Sequence, residues 1–331
     1  MWLDQPVKIL NSFIQACVEF SDIIYYRSTS KPYMDSVSNT TNSSANQKIL
    51  DKVYNLKAAG ELDDAMVELK KALEDTSPGS EEYFPLSYEI GNVLLLQEKV
   101  GDAIKEYEGL WNYYPEKIVT PFRIADVYSK IDQDKAISVF KEIYDRFYRS
   151  DFDYSLAHDE DKSIIYRTPL KLSYLQWRSG KIIDAINTVE RANEILGKDL
   201  PEGVTSEYTN SEIYFKIEAL ENRDIYQNVN ISWTYDDLLK QFEDQVIKGR
   251  KLNALNLSAL DTYAVLSLRV DRDPKQLRVL IRAIRSAIRP DPDKEGGYEG
   301  RKEKQWKALP RNDYDLTQRH IYQVETKLKE M

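Results

Sequence analysis

One cysteine, two histidines, twelve glycines and twelve prolines are all that this chain of 331 residues holds of those types. The lone Cys17 excludes an internal disulfide framework and any zinc site built from several thiolates. His158 and His320 are too few to make a histidine-rich metal centre. His158 stands among Asp159, Glu160 and Asp161, a run that reads as an exposed acidic loop in preference to a metal site. Asp291, Asp293, Glu295 and Gly296 begin like a calcium loop, but the twelfth position is Lys302 where a bidentate Glu is needed. Neither a glycine-rich phosphate loop nor a Gly-x-Ser-x-Gly elbow occurs, and the cysteine and histidines supply no nucleophile beside a base. The sequence therefore predicts no catalytic residue, no metal, no cofactor and no enzyme. No apolar run approaches the roughly 20 residues that cross a bilayer, so no transmembrane segment is expected.

The shortage of Gly and Pro also leaves few turns for a many-stranded fold, while 42% hydrophobic and 31% charged residues are ample material for amphipathic helices. Ile14, Gln15, Ala16 and Cys17 loosely imitate the residues before a lipid-modified cysteine. Asp4 sits where a positive leader belongs, however, and Asn11, Ser12 and Gln15 interrupt the apolar stretch. The preferred reading of residues 1–27 is an amphipathic docking helix with Leu3, Val7, Leu10, Ile14, Cys17 and Val18 on one face. That implies a cytoplasmic protein, with an exported or lipid-anchored one as the alternative. Residues 28–46 lose apolar periodicity and fill with Ser, Thr and Asn, the composition of a flexible polar linker.

Beyond the linker the chain repeats itself. Four segments align: GELDDAMVELKKALEDTSP from residue 60, KVGDAIKEYEGLWNYYP from 99, DQDKAISVFKEIYDRFY from 132 and GKIIDAINTVERANEIL from 180. Each carries an alanine (Ala65, Ala103, Ala136, Ala185), a larger residue four on (Leu69, Tyr107, Phe140, Val189) and another at seven (Ala72, Leu110, Ile143, Ala192), which is one stripe of a helix. A second helical stretch precedes each turn, over residues 49–58, 88–97, 122–130 and 169–178. The unit is helix, turn, helix. A small residue at the seam lets two antiparallel helices approach closely, and the larger one fills the adjoining groove.

These residues resemble the tetratricopeptide repeat family, best between Ser87 and Pro115. Ile90 and Gly91 stand for the family's Leu-Gly pair, Leu94 for an aromatic, and Ala103, Tyr107 and Pro115 for its Ala, aromatic and Pro. Gly60, Ala65, Leu69 and Ala72 match an earlier unit, and Leu172, Gly180, Ala185 and Ala192 a later one. Intervals of 38, 33 and 49 residues between leading alanines mark a divergent array, the longest insertion falling over residues 149–162. The resemblance covers residues 47–197 and implies an all-α, right-handed solenoid of antiparallel helix pairs with a helical C-terminal extension. Residues 47–200 form the repeats on this reading, 201–290 divergent repeats or a cap, and 291–331 a turn-rich tail with a terminal helix. Helical patterns continue over 211–223, 235–252, 257–270 and 274–288.

In such a stack the first helix of each unit faces the concave side. The resemblance thus implies a peptide groove lined by Tyr88, Glu89 and Asn92, then Phe122, Arg123 and Asp126, then Lys171 and Tyr174. Asn and Arg there suit a peptide backbone or carboxylate, and the aromatic rings suit its side chains. Solvated helices carry such residues without any ligand, which is the plainer alternative. A family clamp for chaperone tails is not expected, because Leu50 and Tyr54 offer neither cation nor amide in the first unit.

The charge is uneven. Residues 245–290 hold ten Lys and Arg against three Asp, net +7, in a chain of −9. Lys275, Arg278, Arg282, Arg285 and Arg289 recur at steps of three and four, forming a basic ridge. That ridge either faces water and the chain's own acids or meets an acidic protein, nucleic acid or lipid. Nucleic acid is disfavoured by the pI near 5.1 and by the lack of aromatics between the arginines. The expected function is a non-catalytic scaffold or adaptor holding a protein segment in a concave face; the alternative is an anion-binding helical protein that uses the ridge.

Overall fold

A computed structural model describes residues 43–149, 151–157, 159–196, 202–226, 230–252, 255, 257–270 and 274–288. The expected N-terminal helix, most of the polar linker, both histidines, Arg289, and the tail with its terminal helix lie outside these residues. Among the described residues there are twelve α-helices and no strand. They divide into two compact units, meeting in sequence at Leu175 and Gln176.

The first unit is a series of helical hairpins: α1 (Ser43–Ala59) with α2 (Leu62–Glu74), α3 (Tyr83–Leu96) with α4 (Val100–Tyr113), and α5 (Val119–Ile131) with α6 (Gln133–Phe147). The body of α7 (Asp159–Arg178) completes it. The alanine stripes lie where their period demands. Ala65, Ala103 and Ala136 are wholly buried, and so are Leu69, Tyr107 and Phe140 one turn on. Opposite Tyr107 stands Gly91, where an added Cβ would overlap the tyrosine ring, with Cζ at 2.6 Å. Glycine is required there because the ring occupies the space a side chain would take.

The turns share one device. Gly60 adopts φ +81°, and the next amide, Glu61 N–H, reaches back to Leu56 O at 2.9 Å. Gly180, in the other unit, adopts φ +76° with Lys181 N–H on Gln176 O at 2.8 Å. Both are left-handed helix caps that satisfy carbonyls left over at the helix end. Each cap falls five residues before a seam alanine, Ala65 or Ala185. The second hairpin repeats the geometry without glycine: Glu98 holds φ +61° and Lys99 N–H meets Leu94 O at 2.9 Å. The α5–α6 turn is shorter, and Asp132 instead caps α6 by accepting from Lys135 N–H.

Proline placement corrects one expectation. The helical stretch read as starting at Pro169 starts at Asp159, and Pro169 lies inside α7. Proline has no N–H, so the carbonyl four residues earlier, Ile165 O, loses its helical donor. The buried Tyr148 hydroxyl donates to that carbonyl at 2.7 Å. Tyr148 is itself fixed by stacking on Tyr144, ring centroids 4.4 Å apart.

The second unit starts with the last turn of α7, then α8 (Ile182–Leu196) and α9 (Glu202–Glu221). Three helices follow: α10 (Tyr235–Phe242), α11 (Leu257–Arg269) and α12 (Pro274–Ile288). On α8 the stripe Ala185, Val189 and Ala192 is wholly buried. Beyond it the core gathers Ile213, Ile217, Leu238, Phe242, Leu260 and Leu280. Two boundaries differ from the sequence reading. α9 begins at Glu202 where a start at 211 was expected, and α10 does not run to 252. A reciprocal cap between Thr234 and Asp237 opens α10, which passes into a π-turn over Glu243–Ile247 and stops at Lys248 and Gly249, both at positive φ.

Tyr148→Phe should cost about 1–3 kcal/mol, because it leaves the Ile165 carbonyl buried without a donor. In a Pro169→Ala background, where the backbone supplies the missing N–H, the same change should cost much less; chemical denaturation of the four-member cycle measures the coupling. Glycine substitutions should act in opposite directions. Glu98→Gly should raise the thermal midpoint by relieving about 1 kcal/mol of left-handed strain, and Gly91→Ala should lower it by a cost of about 1–3 kcal/mol.

Candidate functional site

The polar residues of the repeats meet one another across successive first helices. Lys57 near the end of α1 places Nζ 2.6 Å from Glu89 Oε2 on α3, with the two side chains only 15% and 6% exposed. Glu89 Oε1 accepts from Asn92 Nδ2 at 2.9 Å and from the Tyr54 hydroxyl at 3.4 Å. Asn92 Oδ1 in turn accepts from the Tyr107 hydroxyl at 2.8 Å. The helical spacing of Tyr54 with Lys57, and of Glu89 with Asn92, puts each pair on one face, and the hairpin stacking brings the faces together. Burial raises the Tyr54 and Tyr107 hydroxyl pKa values, and the Glu89 carboxylate raises them further. Both tyrosines therefore stay neutral donors.

A second cluster joins α5 to α7. Lys171 Nζ lies 2.9 Å from Asp126 Oδ1, and Arg123 adds a contact at 3.5 Å to the other carboxylate oxygen. Burial works to raise the Asp126 pKa, but the charges of Lys171 and Arg123 outweigh it and hold the carboxyl below its ordinary range. A carboxyl depressed in the folded state adds stability above the unfolded pKa and loses it as the pH falls through the folded value.

Six of the eight expected groove residues are buried within the chain: Glu89, Asn92, Phe122, Asp126, Lys171 and Tyr174. Tyr88 and Arg123 are half-buried. Tyr88 stacks on Phe84 with centroids 5.9 Å apart, and Phe122 meets Phe140 edge-on at 5.4 Å. Leu50, in the first unit, belongs to the core. The sequence reading passed over Lys57, which supplies the cation that Leu50 and Tyr54 do not. Its signal was available in the i, i+3 spacing from Tyr54, but its partner lies 32 residues away.

The second unit holds a comparable cluster that sequence reading missed. Lys216 of α9 sits 2.7 Å from Glu190 and 2.6 Å from Glu212, and the Trp233 ring lies 5.4 Å from its Nζ. Nearby on α9, Glu218 is buried and accepts from Asn222 Nδ2 at 2.8 Å. Burial first, and the charge of Glu221 second, push its pKa up to about 7. Glu221 meets Arg269, at 2.6 Å. In the expected basic ridge, Lys275, Arg278 and Arg282 are exposed on α12, Arg285 follows on the same helix, and Arg289 lies outside the described residues. Among the described residues no group of three or more His, Cys, Asp or Glu is arranged to hold a metal ion. No described helix is long and apolar enough to cross a membrane.

No family model and no curated protein matches the chain. Among solved structures, the chain is similar to nearly identical, TPR-like, kinesin light chain repeats from Podosopora anserina. They are 12% identical over 64% of this chain and 100% of that one, with a TM-score of 0.44. It is also similar to a tetratricopeptide repeat protein from Parabacteroides merdae, 11% identical over 85% of this chain and 98% of that one, with a TM-score of 0.35. Neither likeness carries the all-α assignment, which rests on the hairpins and buried seams described above.

Lys171→Met should destabilise the first unit by about 3 kcal/mol, since it strands a buried carboxylate, and the added change Asp126→Asn should recover part of that loss; urea midpoints of the two variants decide it. A carboxyl whose pKa is raised on folding costs stability as the pH climbs from the unfolded to the folded value. The protein should therefore lose up to about 3 kcal/mol between pH ~4.5 and ~7 through Glu218, and Glu218→Gln should flatten that slope in thermal melts taken across the same window.

Proposed function

We propose that the chain is a non-catalytic scaffold whose first unit holds a segment of a partner protein against the face formed by α3, α5 and α7. One observation carries this reading: the polar side chains of successive first helices are tied to each other, Lys57 to Glu89 and Asp126 to Lys171. Side chains fixed before a partner arrives lose little freedom when it binds. On this reading Tyr88 and Arg123, which keep part of their surface, make the direct contacts. Asn92, Asp126 and Lys171 hold them in position, and Phe122 and Tyr174 back the face with rigid rings. The fold supports the same conclusion, because hairpins stacked through alanine seams place a row of first helices side by side.

The test is quantitative capture of one identified partner by wild type and by Tyr88→Ala and Arg123→Ala. Each variant should bind about 5- to 30-fold more weakly, a loss of ~1–2 kcal/mol, while its thermal midpoint stays within a few degrees of wild type. Undiminished capture by both variants would remove this face from the mechanism.

A further inference from the structure

α12 is built with two unlike sides. Leu277, Leu280, Ile281 and Ala283 are buried in the core of the second unit. The other side presents Lys275, Gln276, Arg278, Val279 and Arg282 to solvent. No acidic residue occurs anywhere in the helix. Two cations elsewhere in this unit are matched at close range, Lys216 by Glu190 and Glu212 and Arg269 by Glu221. Among the described residues no carboxylate is within 4.0 Å of Arg278 or Arg282, and Val279, between them on the same face, is 51% exposed. A helix that seats Leu277, Leu280, Ile281 and Ala283 in the core on one side yet exposes an apolar residue beside cations on the other has a face left over from folding.

We propose that the outer face of α12 is a docking surface for an acidic polypeptide segment whose carboxylates, one helical turn apart, pair with Arg278 and Arg282 while an apolar side chain covers Val279. Charge complementarity selects an anionic partner, and three features select a polypeptide among anions. No aromatic ring accompanies the arginines to stack on bases. The chain as a whole carries −9, which opposes approach to an extended polyanion or an anionic bilayer. Leu277, Leu280, Ile281 and Ala283, which an interfacial helix would insert into lipid, are committed to the core. This surface lies on a different unit from the face proposed above, so either can fail without the other.

The experiment uses the full chain and a fluorescein-labelled synthetic helix of about 20 residues, with Glu at i, i+4 and i+7 around leucines, read by anisotropy at low and near-physiological salt. The peptide should bind at low salt, lose affinity as salt rises, and bind at least ~10-fold more weakly to Arg278→Glu/Arg282→Glu. Val279→Ser should weaken it about 3-fold, the share of one small apolar contact. A Lys-for-Glu version of the peptide should not bind. Should charge reversal disturb folding by circular dichroism, Arg278→Gln/Arg282→Gln replaces it and should give an intermediate loss. Three results would overturn the proposal: no peptide binding at low salt, binding indifferent to both arginines and to Val279, or tighter binding of single-stranded RNA or phosphatidylserine vesicles through the same arginines.

Discussion

The close approach of α3 and α4 at Gly91 and Tyr107 is the contact on which the rest of the first unit depends. The ring lies where a glycine Cβ would be, so the two helix axes come nearer than ordinary side chains allow. That depth puts the hydroxyl beside Asn92, Asn92 beside Glu89, and Glu89 beside Lys57 and Tyr54. A packing event in the seam thus becomes an ordered polar line that reaches the neighbouring hairpin. Each step satisfies a group that burial would otherwise leave costly, and the line has no apolar gap in which a partner could be missing. Gly91 is therefore tied to the polar line of Asn92, Glu89 and Lys57 although it touches none of its charges.

Backbone accounting explains the irregular places in the same terms. Gly60 and Gly180 end their helices in the left-handed region at no steric cost. Glu98 holds the same conformation at a penalty of ~1–2 kcal/mol, and persists because the turn must still return its amides to Leu94 and Leu95. Pro169 breaks a helical hydrogen bond without breaking the helix, since a side chain from elsewhere, Tyr148, meets the released carbonyl. Its surroundings turn a usual helix breaker into an ordinary interior residue.

This contrast marks what could be read from sequence. The stripe Ala103, Tyr107 and Leu110 was legible because a period of three and four residues is a local property, and so was the hairpin order. Pro169 was misread as a helix start, because the hydroxyl that accommodates it comes from 17 residues earlier in its hydrogen bond to Ile165. α9 was read as beginning at 211, since its first turns mix Glu, Thr and Ser with the apolar positions. That Glu89 and Asn92, Asp126, and Lys171 fall on the helices α3, α5 and α7 was legible from the repeat. Their pairings were not, because the partners of Glu89 and Asp126 lie 32 and 45 residues away and nothing in a helical period specifies which lysine faces which carboxylate.

Buried ion pairs of this kind contribute little net stability over well-packed apolar residues, because desolvation consumes most of their attraction. Their effect lies in discrimination. If α3 slid by one turn against α1, Glu89 would leave Lys57, and a carboxylate 6% exposed would be buried without a cation. A similar slip of α7 against α5 would strand Asp126 beside Arg123 alone. Apolar seams of alanine and leucine tolerate such slips far better, because one methyl group resembles another. The repeats thus divide two tasks between two kinds of contact: the seams hold the hairpins together, and the ion pairs fix the register of α3 against α1 and of α7 against α5.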